Sequence, residues 1–205
     1  MTTSIDHNYF HELAKAVPGI ICRHGRCRFE PVEKRYSLDI WGEEYIIDCA
    51  KHRIERSSVH LPDPHEFFYL FVIFYLLSAK DGNPCGEWIS EKDLPGGVTF
   101  FRGPHLIPTD LISDRFGNDL DCFKKCCEKL GGRAINLGDA AFRFDIAPDI
   151  PVAVIYWQGD EDFPAEAGLL YDRSIIKLLP LDIVFALAVA VCARIGRMAA
   201  AADLR

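Results

Sequence analysis

Eleven consecutive apolar residues, 67–77, read FFYLFVIFYLL. A helix that is apolar all round leaves no face for water and must lie inside. The run is also too short for a membrane, where a spanning helix needs about 20 residues. It is therefore expected to be a central buried helix, with the rest of the chain packed around it. Its start is written as Asp63-Pro64-His65-Glu66, with Asp as N-cap, Pro at the first helical position and Glu three after the cap. The helix is expected to run to about Lys80 and to stop at Asp81-Gly82.

Residues 152–172, VAVIYWQGDEDFPAEAGLLYD, form the next most informative stretch. Residues 152–157 are continuous, β-branched and aromatic, which predicts a buried strand. Gln158-Gly159-Asp160 breaks it, and residues 168–171 predict a second, shorter strand. Asp160, Glu161, Asp162, Glu166 and Asp172 crowd into thirteen residues. Such carboxylates repel one another unless a metal, a ligand cation, Arg and Lys, or water compensates. They read either as a solvated acidic loop, with Asp172 capping the helical segment after it, or as a cation or cofactor site. Phe163, among the acids, is expected to tuck back into the core.

Residues 87–105, EWISEKDLPGGVTFFRGPH, combine strong breakers with anchors. Pro95-Gly96-Gly97 and Gly103-Pro104 interrupt regular structure, while Trp88, Ile89, Leu94 and Phe100-Phe101 hold it down. An irregular loop carrying Arg102 and His105 is of the kind that shapes a pocket, or else a surface loop packing its Phe pair inward.

Around these stretches the remaining elements can be placed. Ser4 or Asp6 caps a helix to about Ala16, and Pro18 restarts a short turn. Residues 35–40 and 45–49 pair as a hairpin about Trp41-Gly42-Glu43-Glu44, with 51–55 as an edge strand. Thr109 and Asp119 start two helices, the second closed by Gly131-Gly132. Residues 133–136 and 140–146 are strands about Leu137-Gly138-Asp139, and Leu179-Pro180 starts a long last helix with an alanine-rich tail at 197–205. The sum is an α+β fold: a mixed or antiparallel sheet on a buried central helix, with flanking helices and a long C-terminal helix. One domain over 1–205 is expected, with the helical segment 5–25 as an appendage.

The net charge of −7 argues against nucleic acid or an anionic membrane surface as the main partner. No targeting signal opens the chain, and the run 183–193, like 67–77, is short, so a cytoplasmic protein without a membrane span is expected. Eight cysteines without a secretory signal are expected reduced. Cys122, Cys126 and Cys127 on one helix, His7 and His11 at i, i+4, and Cys22-x4-Cys27 with His24 between are candidate metal groups. Phosphate loops, G-x-S-x-G and H-E-x-x-H are absent, and Cys85 with His105 is the conceivable nucleophile pair.

PGGVTFFRGPH, the helix ending in LGG, GDAAFRFDIAP, IYWQGDEDFPAEAGLLYDRS and LPLDIV occur together and in this order. In this the chain resembles a family of domains of unknown function found in bacteria and archaea, largely anaerobes. The resemblance spans about Tyr9 to Ile195. It implies a cytoplasmic protein with an accessory role near metal or corrinoid enzymes, some relatives being joined to iron–sulfur domains. It implies no catalytic residues, and this chain carries no ferredoxin cysteine pattern of its own.

The leading functional expectation is a small-molecule or cofactor-binding accessory protein, with a small molecule or a metalloenzyme as its partner. Its pocket would lie between loops 95–105 and 160–166. Arg102 and His105 would offer positive groups. Trp157, Asp160, Glu161, Asp162, Glu166 and Asp172 would face a cation or an amide-rich ligand. A metal-dependent enzyme using the same acids, and a structural or partner-binding domain, are the alternatives.

Overall fold

The computed structural model describes residues 5–57, 64–78 and 82–202, with side chains to 198. Two short helices open it, α1 (His7–Lys15) and α2 (Pro18–Gly25). Asp6 caps α1 by accepting the Asn8 N–H at 2.9 Å; Ser4 lies outside the described residues. Strands β1 (Arg28–Glu30), β2 (Arg35–Ile40), β3 (Glu43–Asp48) and β4 (Arg53–Arg56) then form an antiparallel meander in that order.

The β2–β3 turn is tighter than its sequence suggests. Ile40 pairs with Glu43, leaving Trp41 and Gly42 as a two-residue connection with φ of 47° and 73°. Positive φ at both central residues is what a type I′ hairpin turn requires. The consequence is that Glu43 is a strand residue on the inner face, in step with Tyr45 and Ile47.

The apolar run is α3 (Glu66–Leu77), with Phe68, Phe71, Val72, Ile73 and Leu76 buried. Its start differs from the Asp-Pro signal. His65 is the cap, its Nδ1 accepting the Phe67 N–H at 3.2 Å. Asp63 lies outside the described residues, as do 79–81, and the helix ends at Leu77 rather than Lys80.

A second antiparallel sheet runs β5-β9-β8-β7-β6, built from β5 (Trp88–Ile89), β6 (Arg133–Ile135), β7 (Ala140–Ala147), β8 (Ile150–Trp157) and β9 (Glu166–Asp172). Helices α4 (Gly97–Phe100), α5 (Asp110–Phe116) and α6 (Leu120–Lys129) lie between β5 and β6 in the chain. A short α7 (Ile175–Leu178) leads into α8 (Leu181–Ala202). The α+β expectation holds, but the sheet comes as two sheets, both antiparallel.

Trp41 joins the two sheets. Its N–H donates to Ile146 O at 2.7 Å and its indole Nε1 to Leu130 O at 3.1 Å. Its ring meets Phe68 of α3 and Phe144 of β7. Helix α3 packs on α8 and, through Phe68, meets Tyr45 of β3, and one continuous apolar core includes residues of both sheets. No helix among the described residues is long and apolar enough to cross a membrane.

Helix α8 crosses α5 at Gly196, where an added Cβ would stand 2.6 Å from the Leu111 carbonyl oxygen. Gly196→Ala gains helix propensity but forces the backbones apart. A net loss of about 2 kcal/mol is expected, or about 4–8 °C in Tm by calorimetry. An unchanged Tm would mean that the crossing yields freely.

Candidate functional site

Strands β8 and β9 make a hairpin whose closing pair is Trp157 opposite Glu166. Residues 158–165 form its loop, and that loop is tied down by its own backbone. Asp160 Oδ1 accepts the N–H groups of Asp162 and Phe163 at 2.8 and 2.9 Å, and the Asp160 N–H donates to Phe163 O at 2.8 Å. The two donors to its carboxylate hold Asp160 below its ordinary pKa range. The loop foot is anchored by Asn118, whose Oδ1 takes the Gly159 N–H, and by Asp139, which takes the Gln158 N–H. Glu161, Asp162 and Glu166 project into solvent. Phe163 does not tuck inward: it is 71% exposed, because the tight turn about Asp160 aims it away from the core.

Loop 95–105 is short helix rather than coil: α4, then a 3-10 turn over Gly103–His105. Phe101 is buried while Arg102 is exposed. The His105 ring stacks on Phe100 at 4.4 Å and meets Phe185 edge-on at 5.3 Å. Directly after this turn, Leu106, Ile107 and Thr109 lead into α5.

These parts enclose a groove of ≈ 260 Å³ between residues 101–109 and the β8–β9 hairpin. Phe101, Leu106, Ile107, Ile155, Trp157 and Leu170 supply apolar walls, and Ser90, Glu91 and Thr109 supply polar atoms. Trp157, 41% exposed, and Leu106, 69% exposed, stand at its mouth. The indole lies across Gly168, where an added Cβ would come 3.4 Å from Trp157 Cζ3. Of the residues expected to form the site, Trp157 lines this groove. Arg102, His105, Asp160, Glu161, Asp162 and Glu166 belong to the flanking segments and do not line it.

Residues 18–194 match the model of a domain of unknown function, DUF3786. The chain belongs to that family. The matched span takes in both sheets, α3 and the groove, and leaves α1 outside. No curated protein and no solved structure matches the chain significantly.

Within the family-matched span, Asp172 is a structural clamp. It is 3% exposed, and Oδ1 accepts the N–H groups of Cys85 and Ser174 at 3.0 and 2.9 Å while Oδ2 accepts that of Gly86 at 2.7 Å. Burial alone would raise its pKa. The donors of Ser174, Cys85 and Gly86 outweigh burial and bring it down to about 2. Cys85 donates its thiol to the same carboxylate at 3.4 Å, whereas His105 is engaged with Phe100 and Phe185, so the two take different partners.

Cys126 and Cys127 face the core, and Cys126 Sγ donates to Ile195 O at 3.7 Å. Burial pushes the Cys126 thiol up to about 12 and raises Cys127 as well, which opposes the thiolate form that binds metals. Among the described residues no three His, Cys, Asp or Glu groups converge on a common point.

A second cleft has no counterpart among the sequence expectations. It holds ≈ 350 Å³ where the β2–β3 and β7–β8 turns meet, and Arg26, Asp39, Trp41, Arg143, Asp145 and Asp149 line it. Arg26, Trp41 and Asp149 all have positive φ, at 47°, 47° and 63°. Its charges largely satisfy one another, Arg26 binding Asp149 at 3.1 Å and Arg143 binding Asp145 at 2.9 Å. No sequence signal joins residues more than a hundred positions apart.

Proposed function

We propose that this protein binds a small molecule in the groove beside Trp157, as an accessory rather than a catalyst. The observation that carries the reading is a half-exposed indole walling a concave apolar groove. Exposed aromatics bordering such a space mark ligand sites more often than isolated surface residues do. The volume, ≈ 260 Å³, lies below the range of about 300–1,000 Å³ usual for drug-sized ligands. It suits a molecule of one or two rings and is too small to enclose a whole macrocyclic cofactor. Thr109, Ser90 and Glu91 would set its orientation. The exposed acids Asp160, Glu161, Asp162 and Glu166, with Arg102 and His105 on the other flank, would act at the rim on a charged substituent.

The test uses 1-anilinonaphthalene-8-sulfonate, whose fused naphthalene pair is of the size the groove takes while its anilino ring stays at the open mouth, and the variant Gly168→Val. The β-carbon at Gly168 makes only ordinary contact with the indole, so a strand-favouring valine leaves the sheet intact while its methyls enter the groove. Saturable binding of one probe per chain is expected, weakened at least ~10-fold by Gly168→Val at unchanged circular dichroism. Equal affinity in both proteins would place the probe elsewhere and remove the reading.

A further inference from the structure

Two thiols meet at the end of α2. In an uninterrupted helix, residues five apart point about 140° away from each other, so Cys22 and Cys27 would face different ways. The helix instead ends at Gly25, and Arg26 takes the left-handed conformation, with φ 47° and ψ 46°. That residue folds the chain back, and the Cys27 N–H donates to Cys22 O at 3.3 Å. The turn brings the sulfurs into contact. Cys27 Sγ donates to Cys22 Sγ at 3.6 Å, with Ile21 O at 3.8 Å as its second acceptor. Both cysteines are half-buried, so each keeps part of its surface open to solvent. The thiols of Cys85 and Cys126 take oxygen acceptors instead, Asp172 and Ile195 O.

We propose that Cys22 and Cys27 form a reversible dithiol–disulfide site that reacts with small disulfides such as oxidised glutathione. The Cys22 thiolate attacks one sulfur of the small disulfide, whose S–S bond breaks, and one glutathione leaves as a thiolate that solvent protonates. Cys27, having given its proton to solvent, then attacks the Cys22 sulfur of the mixed disulfide. The Cys22–Cys27 bond forms and the second glutathione leaves. The pair loses two electrons and two protons, and the small disulfide gains them as two thiols. Closing the bond takes the sulfurs from 3.6 Å to about 2.05 Å, a distance that rotation about the two Cα–Cβ bonds covers. The order of attack follows from the setting. Cys22 Sγ is the acceptor in the contact, while burial, and then the neighbouring Cys22, push the Cys27 thiol up to about 12. Cys27 is therefore the slower thiol to ionise, and Cys22 is the point of entry. Once Cys22 carries glutathione, its share of that rise is gone and Cys27 can close the bond. The bond would enclose Arg26, whose side chain lines the cleft beside Trp41 and binds Asp149. The redox state of the pair would thus set how firmly that wall of the cleft is held. The site is independent of the groove beside Trp157.

The test is anaerobic incubation of the reduced full chain with oxidised glutathione, followed by acid quenching, alkylation of free thiols and peptide mass spectrometry. The wild type is expected to yield a peptide with Cys22 linked to Cys27, to lose both thiols together and to regain them with dithiothreitol, at unchanged circular dichroism. In Cys27→Ser the reaction should stop with glutathione held on Cys22. In Cys22→Ser, Cys27 should take up glutathione at least ~10-fold more slowly than Cys22 does in Cys27→Ser. Wild-type chain that keeps both thiols free, or that holds glutathione on Cys22 without closing the bond, overturns the proposal. Equal rates in the two variants overturn the order of attack.

Discussion

Glu43→Gln is expected to be the most damaging conservative substitution in the chain, at a cost of about 3–5 kcal/mol. Glu43 is 3% exposed and Arg194 is 2% exposed. The Arg194 guanidinium donates to Glu43 Oε2, and Arg56 donates to Oε1 at 3.1 Å. Arg194 also lies over the Trp41 ring at 4.6 Å. Its Nε and Nη1 are buried without a hydrogen-bond partner, so its charge depends on Glu43 more heavily than usual. Removing the anion leaves a dry guanidinium among apolar residues. Removing the cation instead, with Arg194→Met, keeps Glu43 paired to Arg56 and takes the unsatisfied nitrogens away, so a smaller loss is expected. Urea denaturation of both variants decides the matter. If Glu43→Gln costs less than Arg194→Met, the pair does not act as described.

The second large effect concerns Asp172 and is readable against pH. Its folded pKa of about 2 lies below the value near 3.9 expected of the unfolded chain. A lowered carboxylate contributes stability that is complete above the unfolded pKa. That contribution, about 2–3 kcal/mol, is lost as pH falls from about 5 towards 2. Asp172→Asn should be less stable at neutral pH and should flatten this acid limb. Asp172→Ala, which orphans the N–H groups of Cys85, Gly86 and Ser174, should cost about 3 kcal/mol or more. Denaturant midpoints measured at pH 7 and at about pH 2.5, where most of the carboxylate's contribution is lost, separate these outcomes. Parallel acid limbs in wild type and Asp172→Asn would show that the carboxylate is not held ionised by its donors.

Elements with strong local signals are legible in the sequence. The apolar run is α3, the continuous run ending at Trp157 is β8, and the Asp119 cap accepts the Cys122 N–H as its position suggests. The illegible features depend on partners far away in the chain. Glu43 reads as a turn residue because it stands in a run of four, Trp41 to Glu44, between two strand patterns. Only the two-residue turn at positive φ places it inside, where Arg194, 151 residues on, meets it. Arg194 itself reads as the flank of an apolar run.

The candidate site is legible to the same degree. The sequence marks Trp157 and the 95–105 segment, and both border the groove. It gives the acids more weight than their setting supports. A row of carboxylates is conspicuous in one dimension, yet Asp160 is spent on its own turn and Asp172 on a clamp. Leu106, Ile107 and Gly168 carry no signal, since an apolar wall and a floor without a side chain become a groove only once strands and helices are assembled.

The most direct measurement of the central claim, a ligand groove beside Trp157, is an amide and methyl NMR map of the chain titrated with 1-anilinonaphthalene-8-sulfonate. Saturable shifts are expected, centred on Ile107, Ile155, Trp157, Gly168 and Leu170, with the cleft around Trp41 and Arg143 undisturbed. Shifts centred on that cleft, or scattered over the surface without saturation, would contradict the claim.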